Sequence, residues 1–153
     1  MGREIERKFL VAGDSWRRAA GVELRQGYLI GGKKSTVRVR ILGERGFLTV
    51  KGPTVGATRL EYEYEIPLSH AEEMLAELCE KPLIEKTRYR VPSGGLVIEV
   101  DEFLGENRGL IVAEIELESE CQPFRKPDWL GEEVTGDPRY YNSNLTRRPF
   151  REW

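Results

Sequence analysis

Charged residues recur at every second position along short segments of this chain, and within most segments they share one sign. The positions between them are apolar, as in Val37-Arg38-Val39-Arg40-Ile41. Because successive side chains of a β-strand point to opposite faces, this alternation predicts strands with one apolar and one ionic face. The ionic pairs are Glu4 and Glu6, Arg38 and Arg40, Glu61 and Glu63, Lys86 and Arg88, Glu99 and Asp101, and Glu114 and Glu116.

The first of these segments starts almost at the first residue. Glu4, Glu6 and Lys8 share one face of the predicted strand. Two carboxylates on one strand face repel each other, and nothing within the strand relieves that repulsion. Solvent, basic side chains from other strands or a divalent cation must therefore balance them.

Eight strands and one main helix follow from the periodicity. The helix is predicted over 69–80, where Ala71, Met74, Leu75 and Leu78 form an apolar stripe that packs in the core, and Ser69 with Glu72 fits a capping box. Residues 121–153 are rich in proline, aromatic residues and arginine and are predicted to wrap the domain and close one end of it, with short helices at most. The strands are predicted over 4–11, 24–30, 36–42, 47–51, 59–66, 83–91, 96–103 and 110–118.

A weak internal repeat runs through these elements. A basic strand, a hairpin and an acidic strand follow one another from Arg38 to Glu80 and again from Lys86 to about Trp129. This order predicts a duplicated half-unit. Tyr62, Tyr64 and Tyr89 face away from the charges and are predicted to pack in the core.

Composition limits the classes of protein. The 153 residues suffice for one domain, which we predict to span 1–153. The 24 basic and 26 acidic residues give a net charge of -2, which argues against a nucleic-acid-binding surface. Cys79, Cys121 and His70 make neither a zinc site nor a disulfide framework. No apolar run suits a signal peptide or a membrane span, so we expect a cytoplasmic protein without a membrane partner.

Two arrangements explain an ionic strand face. An antiparallel sheet with one solvated face alternates in this way. However, the polar positions are nearly all full charges, their signs are sorted by strand, and a sheet of this many strands tends to curl or close. If it closes with the ionic face inward, it encloses a lumen with separate acidic and basic clusters. The residues alone leave both arrangements open.

A closed ionic lumen needs ligands, because unpaired buried charges are costly. Carboxylates gathered from several strands suit the hard cations Mg²⁺ and Mn²⁺. Converging arginines and lysines suit a polyanion, and the arginine fork matches phosphate oxygens. A metal beside a polyanion indicates phosphate chemistry.

The segment Glu4-Ile5-Glu6-Arg7-Lys8 resembles the ExExK signature of the triphosphate tunnel metalloenzymes, also called the CYTH superfamily. The resemblance covers essentially the whole chain. It continues in order through Arg38 and Arg40, Lys51, Glu61-Tyr62-Glu63, Glu85-Lys86-Thr87-Arg88-Tyr89, Glu99-Val100-Asp101, Glu114-Ile115-Glu116, and Glu133 to Tyr140 with Asn142.

The resemblance implies an α+β fold, with a closed eight-stranded antiparallel β-barrel forming a tunnel, external helices and a duplicated half-unit. It implies a triphosphatase dependent on Mg²⁺ or Mn²⁺ that cleaves a linear triphosphate, chiefly inorganic tripolyphosphate to pyrophosphate and phosphate. Thiamine triphosphatase, nucleoside triphosphatase and class IV-type adenylate cyclase activities are alternatives on the same tunnel. A non-catalytic polyphosphate- or nucleotide-binding module is a further alternative, and a homodimer stays open.

The resemblance also assigns roles to residues. Lys8 would orient the substrate or the water beside the acidic cluster, and a tunnel glutamate that the sequence does not identify could assist as general base. The expected catalytic residues are Glu4, Glu6, Lys8 and Glu63. The expected metal ligands are Glu4, Glu6, Glu61, Glu63, Asp101, Glu114 and Glu116. The expected phosphate-binding residues are Arg38, Arg40, Lys51, Lys86, Arg88 and Arg139.

Overall fold

The computed structural model describes residues 2–32 and 34–153. In these residues the chain forms nine β-strands and two α-helices, with short 3₁₀ turns between some of them. The strands are β1 (Arg3–Val11), β2 (Gly21–Gly31), β3 (Thr36–Leu42), β4 (Arg45–Lys51), β5 (Thr58–Ile66), β6 (Ile84–Ser93), β7 (Leu96–Phe103), β8 (Ile111–Glu116) and β9 (Leu130–Glu133). The helices are α1 (Leu68–Glu77) and α2 (Asn142–Arg147).

Eight of the strands close into an antiparallel barrel, which confirms the predicted fold. Around the barrel the order is β1, β5, β4, β3, β2, β6, β7 and β8, and β8 returns to β1. The first strand closes the ring because its two edges meet different partners: Arg3 pairs with Leu60 of β5, while Lys8 pairs with Glu114 of β8. The duplicated half-unit stays a prediction.

A ninth strand, β9, was not predicted. It pairs with the far end of β1, where Phe9 lies opposite Glu133, and so lies outside the ring. A strand of four residues is too short to show a clear alternation of apolar and polar positions, so the sequence pattern did not predict it.

The apolar side chains of the barrel strands point outward and pack against covering segments, whereas in most small barrels they fill the interior. On one side α1 lies over β3 and β4, where Val39 and Ile41 pack with Ala71 and Leu75. Two further apolar clusters form beneath the loops and the C-terminal segment. The ionic positions are thereby left to the inside of the barrel.

The contact between α1 and the barrel requires a glycine. A Cβ atom on Gly46 would lie 2.8 Å from the Cβ atom of Ala71, well inside normal van der Waals separation. A larger residue at this position of β4 would push the helix away from the sheet.

Three local predictions were wrong. Leu78, predicted to pack in the core as part of the apolar stripe of α1, is 65% exposed. The predicted capping box is absent, because Pro67 occupies the N-cap of α1 and no side chain caps the helix there. Tyr62 and Tyr64 are 47% and 59% exposed, because α1 covers β3 and β4 and leaves the outer face of β5 open. Tyr89 does pack inside, with its ring centroid 5.1 Å from that of Trp16.

Neither helix in the described part of the chain is long and apolar enough to cross a membrane.

Candidate active site

A cavity of about 270 Å³ occupies the inside of the barrel, and we call it the central cavity. In the described residues its lining holds seven glutamates and eight lysines or arginines, and Leu42 is its only aliphatic residue. Glu6, Arg40, Glu63, Arg88 and Glu116 all lie on this one lining. The ionic strand faces therefore look at one another across a shared space, and the solvated-sheet arrangement is wrong.

The two signs of charge occupy different parts of the wall. Strand β1, with Glu4 and Glu6, lies between β8 and β5, which carry the other acidic pairs, so the three strands form a continuous acidic wall. The basic residues come mainly from β3, β4 and β6. This separation follows from the strand order, because strands of like charge that are distant in sequence become neighbours when the barrel closes.

The acidic wall brings carboxyl groups into direct contact in pairs. Glu4 is hydrogen-bonded to Glu61 of β5, and Glu6 is hydrogen-bonded to Glu114 of β8. Two carboxyl groups share a hydrogen bond only when one of them carries a proton. The crowding on the acidic wall therefore favours a shared proton within each pair when no cation is bound.

The pKa values of these groups follow from that crowding. Burial, with the proton shared with Glu61, raises the pKa of Glu4 to about 7 against the pull of the Lys51 charge. Burial and the negative charges of Glu114 and Glu4 raise the pKa of Glu6 well above its usual range. The acidic wall thus stays incompletely ionised near neutral pH.

The partner carboxyl in each pair behaves in the opposite way. Burial works to raise the pKa of Glu61, but its hydrogen bond with Glu4 and the charge of Lys51 outweigh burial and bring the pKa to about 2. Burial is likewise outweighed at Glu114, where Lys8 and Arg88 hold the pKa well below its usual range. Each pair therefore contains one protonated and one ionised carboxyl group.

Two lysines lie against the acidic wall. Lys51 Nζ stands 3.2 Å from Glu4 Oε1 and 3.0 Å from Glu61 Oε2, so it bridges the two strands. Lys8 Nζ lies 3.8 Å from Glu114 Oε1 and donates to the carbonyl oxygen of Tyr140 at 3.4 Å. Both ammonium groups are close enough to the carboxylates to compete with a metal ion for them.

The basic wall contains two arginines that share one carboxylate. Arg38 and Arg40 each approach Glu63 Oε2 through Nη2, at 3.5 and 3.1 Å. Burial and the neighbouring Arg38 charge lower the pKa of Arg40 to about 10. The Nε–H groups of both arginines are buried without a hydrogen-bond acceptor in the described residues. These unsatisfied donors favour an anion on this wall.

Arg88 and Lys86 of β6 complete the basic wall. Arg88 lies 3.3 Å from Glu99 and 3.6 Å from Glu114, and Lys86 Nζ lies 2.7 Å from Asp101 Oδ2. Burial lowers the pKa of Lys86 to about 8 although Asp101 opposes the shift. An additional anion close to Lys86 would therefore stabilise the charged form of its ammonium group.

Asp101 does not lie on the central cavity, contrary to its predicted role as a metal ligand. Its carboxylate is fully buried behind the basic wall, and both oxygens are bound by Arg88 and Lys86. The sequence alternation placed it on the correct face, but the long side chains of β6 cover it. Its place indicates that it holds those two cations in position.

Arg139 also lies away from the central cavity, contrary to its predicted role in phosphate binding. Its side chain is 63% exposed and pairs with Asp137 at 2.8 Å. Because Asp137 and Arg139 belong to one short turn on the outside of the barrel, the guanidinium group cannot line the tunnel.

Several cavity residues were missed from the sequence. Arg59 and Arg90 lie on the same alternating faces as Glu61 and Arg88, so the strand pattern could have identified them. Tyr141, Asn142 and Ser143 come from the C-terminal segment, where no periodicity places them at the cavity. Tyr28, on β2, also lines the cavity between the two basic strands.

The C-terminal segment caps one end of the barrel and touches lysines on opposite walls. Asn142 Oδ1 accepts hydrogen bonds from Lys86 Nζ at 3.0 Å and from Gln26 Nε2 at 2.9 Å. The ring of Tyr141 lies 5.6 Å from Lys8 Nζ. The cap therefore fixes two cations that face the cavity.

The oxygen-rich acidic wall has the chemistry of a site for a hard divalent cation. In the described residues no three carboxylates, histidines or cysteines already converge so that they could hold an ion as they stand. The carboxylates that such a site would use are instead paired with lysines, Glu4 with Lys51 and Glu114 with Lys8. A cation would take the place of the shared protons between Glu4 and Glu61 and between Glu6 and Glu114.

Comparison with known proteins agrees with this architecture. The sequence matches the CYTH domain over residues 2–148. It is 57% identical to an inorganic triphosphatase of Acetivibrio thermocellus, over 100% of this chain and 99% of that protein. It is 44% identical to an inorganic triphosphatase of Nitrosomonas europaea, over 93% of this chain and 95% of that protein. A crystal structure of an inorganic triphosphatase superposes with a TM-score of 0.67 at 40% identity, over 94% of this chain and 93% of the other.

Proposed function

The chain belongs to the CYTH domain family, and from that premise we propose that it is an inorganic triphosphatase. The reaction is hydrolysis of linear tripolyphosphate to pyrophosphate and orthophosphate inside the central cavity. The observation that carries the proposal is the separation of an acidic and a basic wall around one enclosed space. The catalytic unit is a single domain over 1–153, and cytoplasmic location and a homodimer stay predictions.

The acidic wall is proposed to hold a divalent cation, Mg²⁺ or Mn²⁺. Glu4, Glu6, Glu114 and Glu116 are the ligands that the geometry favours, with Glu61 beside them. When bound, the cation would neutralise charge on the phosphate oxygens and lower the pKa of a coordinated water. Lys8 and Lys51 form ion pairs with Glu114 and Glu4. If a metal ion binds these carboxylates, the two ammonium groups would be released to contact the substrate.

The basic wall is proposed to bind the phosphates. Arg38 and Arg40 offer unsatisfied Nε–H donors, and Lys86 and Arg88 face them from β6. Guanidinium groups fixed on strands hold phosphate oxygens in a defined orientation and stabilise the charge that develops on them. Lys51 extends this set towards the acidic wall, so that the chain of phosphates lies between the two walls.

Glu63, which was predicted as a catalytic residue and a metal ligand, is proposed to position two arginines. Its carboxylate already accepts hydrogen bonds from Arg38, Arg40 and the hydroxyl of Thr49, the last at 2.8 Å. These donors leave it little capacity to take a proton from water. Its proposed function is to keep the two arginines aimed at the substrate.

An inorganic substrate fits the lining better than an organic triphosphate. The described lining is dominated by charged side chains, with Leu42 as its only aliphatic residue, and charged groups match the oxygens of an inorganic triphosphate. Both curated relatives described above are inorganic triphosphatases. Thiamine triphosphate and ATP therefore serve as comparison substrates in the test.

The test is phosphate release from tripolyphosphate in the presence of Mg²⁺ or Mn²⁺, compared with thiamine triphosphate and ATP. Glu6→Gln and Glu114→Gln should each lower kcat by at least about 100-fold, since each removes a proposed ligand from the acidic wall. Glu73→Gln, on the exposed side of α1, is the matched control and should leave kcat unchanged. Unchanged rates in both wall variants would refute the proposal, whereas tight polyanion binding without turnover would indicate a binding module.

A further inference from the structure

Arg59 differs from most other cations on the central cavity because it forms no ion pair within the described residues. It continues the inward face of β5 that carries Glu61 and Glu63. Its Nε donates to the carbonyl oxygen of Gly52 at 3.0 Å, which fixes the direction of the guanidinium group. By contrast, Lys51 on the neighbouring strand is held by two carboxylates. The two terminal nitrogens of Arg59 are therefore available to a ligand.

A second cavity of about 360 Å³ opens beside Arg59 at the capped end of the barrel. It shares the lining residues Thr36, Arg59, Tyr141 and Ser143 with the central cavity, so the two spaces are adjacent. Its outer part is lined by residues that include Thr54 and Arg147. We call this space the side chamber.

The side chamber differs chemically from the central cavity. Its described lining contains two arginines and several hydroxyl groups but no aspartate or glutamate. Without carboxylates it offers nothing to a divalent cation. Guanidinium and hydroxyl donors without competing acids are the groups that recognise a phosphate oxyanion.

We propose that the side chamber is a second phosphate-binding site centred on Arg59, which lies opposite Glu4 at the edge of the acidic wall. The site takes one phosphate group and makes or breaks no bond. The inference rests on the proposed function for the source of its ligand, which is either released orthophosphate or the outer phosphate of a bound substrate. Because Arg59 lines both the central cavity and the side chamber, the site lies next to either source.

Binding of orthophosphate in the presence of EDTA tests the site without any turnover. Calorimetry should show that Arg59→Gln weakens orthophosphate binding at least about tenfold, since it removes charge-assisted hydrogen bonds. Arg45→Gln is the matched control, because Arg45 is 66% exposed on β4, pairs with Glu65 and lines neither the central cavity nor the side chamber. It should bind orthophosphate as the wild type does. Equal affinities in the wild type and Arg59→Gln would overturn the proposal.

Because Arg59 also donates to the carbonyl oxygen of Gly52, Arg59→Gln could weaken orthophosphate binding by disturbing the fold. A second variant separates these two effects. Arg147 lines the chamber from the end of α2, and Arg147→Gln should weaken orthophosphate binding at least about threefold. If thermal melting shows that Arg59→Gln is not folded, Arg147→Gln decides the question. Wild-type affinity in that variant would then count against the site.

Kinetics with the metal-loaded enzyme distinguish the two sources of phosphate. If the ligand is released orthophosphate, Arg59→Gln weakens product inhibition by orthophosphate and leaves KM for tripolyphosphate within about twofold. If the ligand is the outer phosphate of the substrate, KM rises about tenfold. Absence of turnover in the wild type, with orthophosphate binding still dependent on Arg59, would reject the proposed function and retain the side chamber.

Discussion

Arg88 and Asp101 form a two-pronged ion pair, in which Arg88 Nε and Nη2 donate to the two carboxylate oxygens at 2.8 and 2.9 Å. Lys86 Nζ lies 2.7 Å from the same carboxylate. One buried carboxylate therefore supports two cations of the basic wall. Asp101 therefore holds Arg88 and Lys86 in position from behind the basic wall and does not itself line the central cavity.

Asp101→Asn should destabilise the protein by about 3 kcal/mol, because it leaves two buried cations without their main counter-charge. Urea unfolding of the metal-free protein measures the loss. Asp137→Asn is the control, since its partner Arg139 is 63% exposed, and it should cost less than about 1 kcal/mol. A stable Asp101→Asn protein that binds Mn²⁺ tenfold more weakly would instead identify Asp101 as a metal ligand.

Arg139→Gln should leave the hydrolysis of tripolyphosphate nearly unchanged, with KM within about twofold of the wild type. The reason is its exposed position outside the barrel, in an ion pair with Asp137. Arg40→Gln, which changes an arginine on the central cavity, should raise KM at least about tenfold, since a charge-assisted hydrogen bond to phosphate is lost. Steady-state kinetics on both variants provides the comparison, and equal effects would contradict the assignment.

Most of the lining could be predicted from the sequence because period-two alternation assigns each side chain to a face, whereas the closed barrel was predicted from the family resemblance. The alternation placed Glu4, Glu6, Arg38 and Arg40 on the ionic faces of their strands, and the structure finds all four on the central cavity. Asp101 shows the limit of the pattern. Alternation gives the face of a side chain, but the depth of that side chain depends on how far its neighbours reach across it.

The C-terminal segment was predicted to close one end of the domain, but the residues by which it reaches the central cavity could not be predicted. Tyr141 and Asn142 sit in a short turn and a six-residue helix, whose position depends on the apolar cluster around Leu145 and Tyr140. Such packing leaves no periodic signal in the sequence. The same limit applies to Arg139, where a motif resemblance gave a role that the outward-facing turn does not support.

The metal-free protein should lose stability as the pH rises from about 4.5 to about 7. The folded-state pKa of Glu4, about 7, lies above its ordinary value of 4.5, so the folded state holds the proton more tightly than the unfolded state. The stability that this group contributes is therefore fully present below pH 4.5 and is lost as the pH rises through 7. The loss from Glu4 is roughly 3 kcal/mol by linkage, and the raised pKa of Glu6 acts in the same direction.

Urea unfolding in EDTA at several pH values measures this slope. Glu4→Gln, which cannot ionise, should flatten it, while Glu73→Gln on the exposed face of α1 should leave it unchanged. Groups with lowered pKa values, such as Glu133, contribute mainly at lower pH and do not mask the effect. Stability that rises between pH 4.5 and 7 would show that the two glutamates are ionised in the metal-free fold.

Asn142→Leu should lower kcat/KM for tripolyphosphate about tenfold while the protein stays folded. The substitution removes the oxygen that accepts hydrogen bonds from Lys86 and Gln26, so the ammonium group of Lys86 loses one of the contacts that fix its direction. Arg148→Gln is the control at the end of the same helix, since its side chain is exposed and lines neither the central cavity nor the side chamber. Because Asn142 acts through Lys86, adding Lys86→Met to Asn142→Leu should cost little beyond Lys86→Met alone. Independent, additive losses in that double-mutant cycle would show that Asn142 contacts the substrate itself.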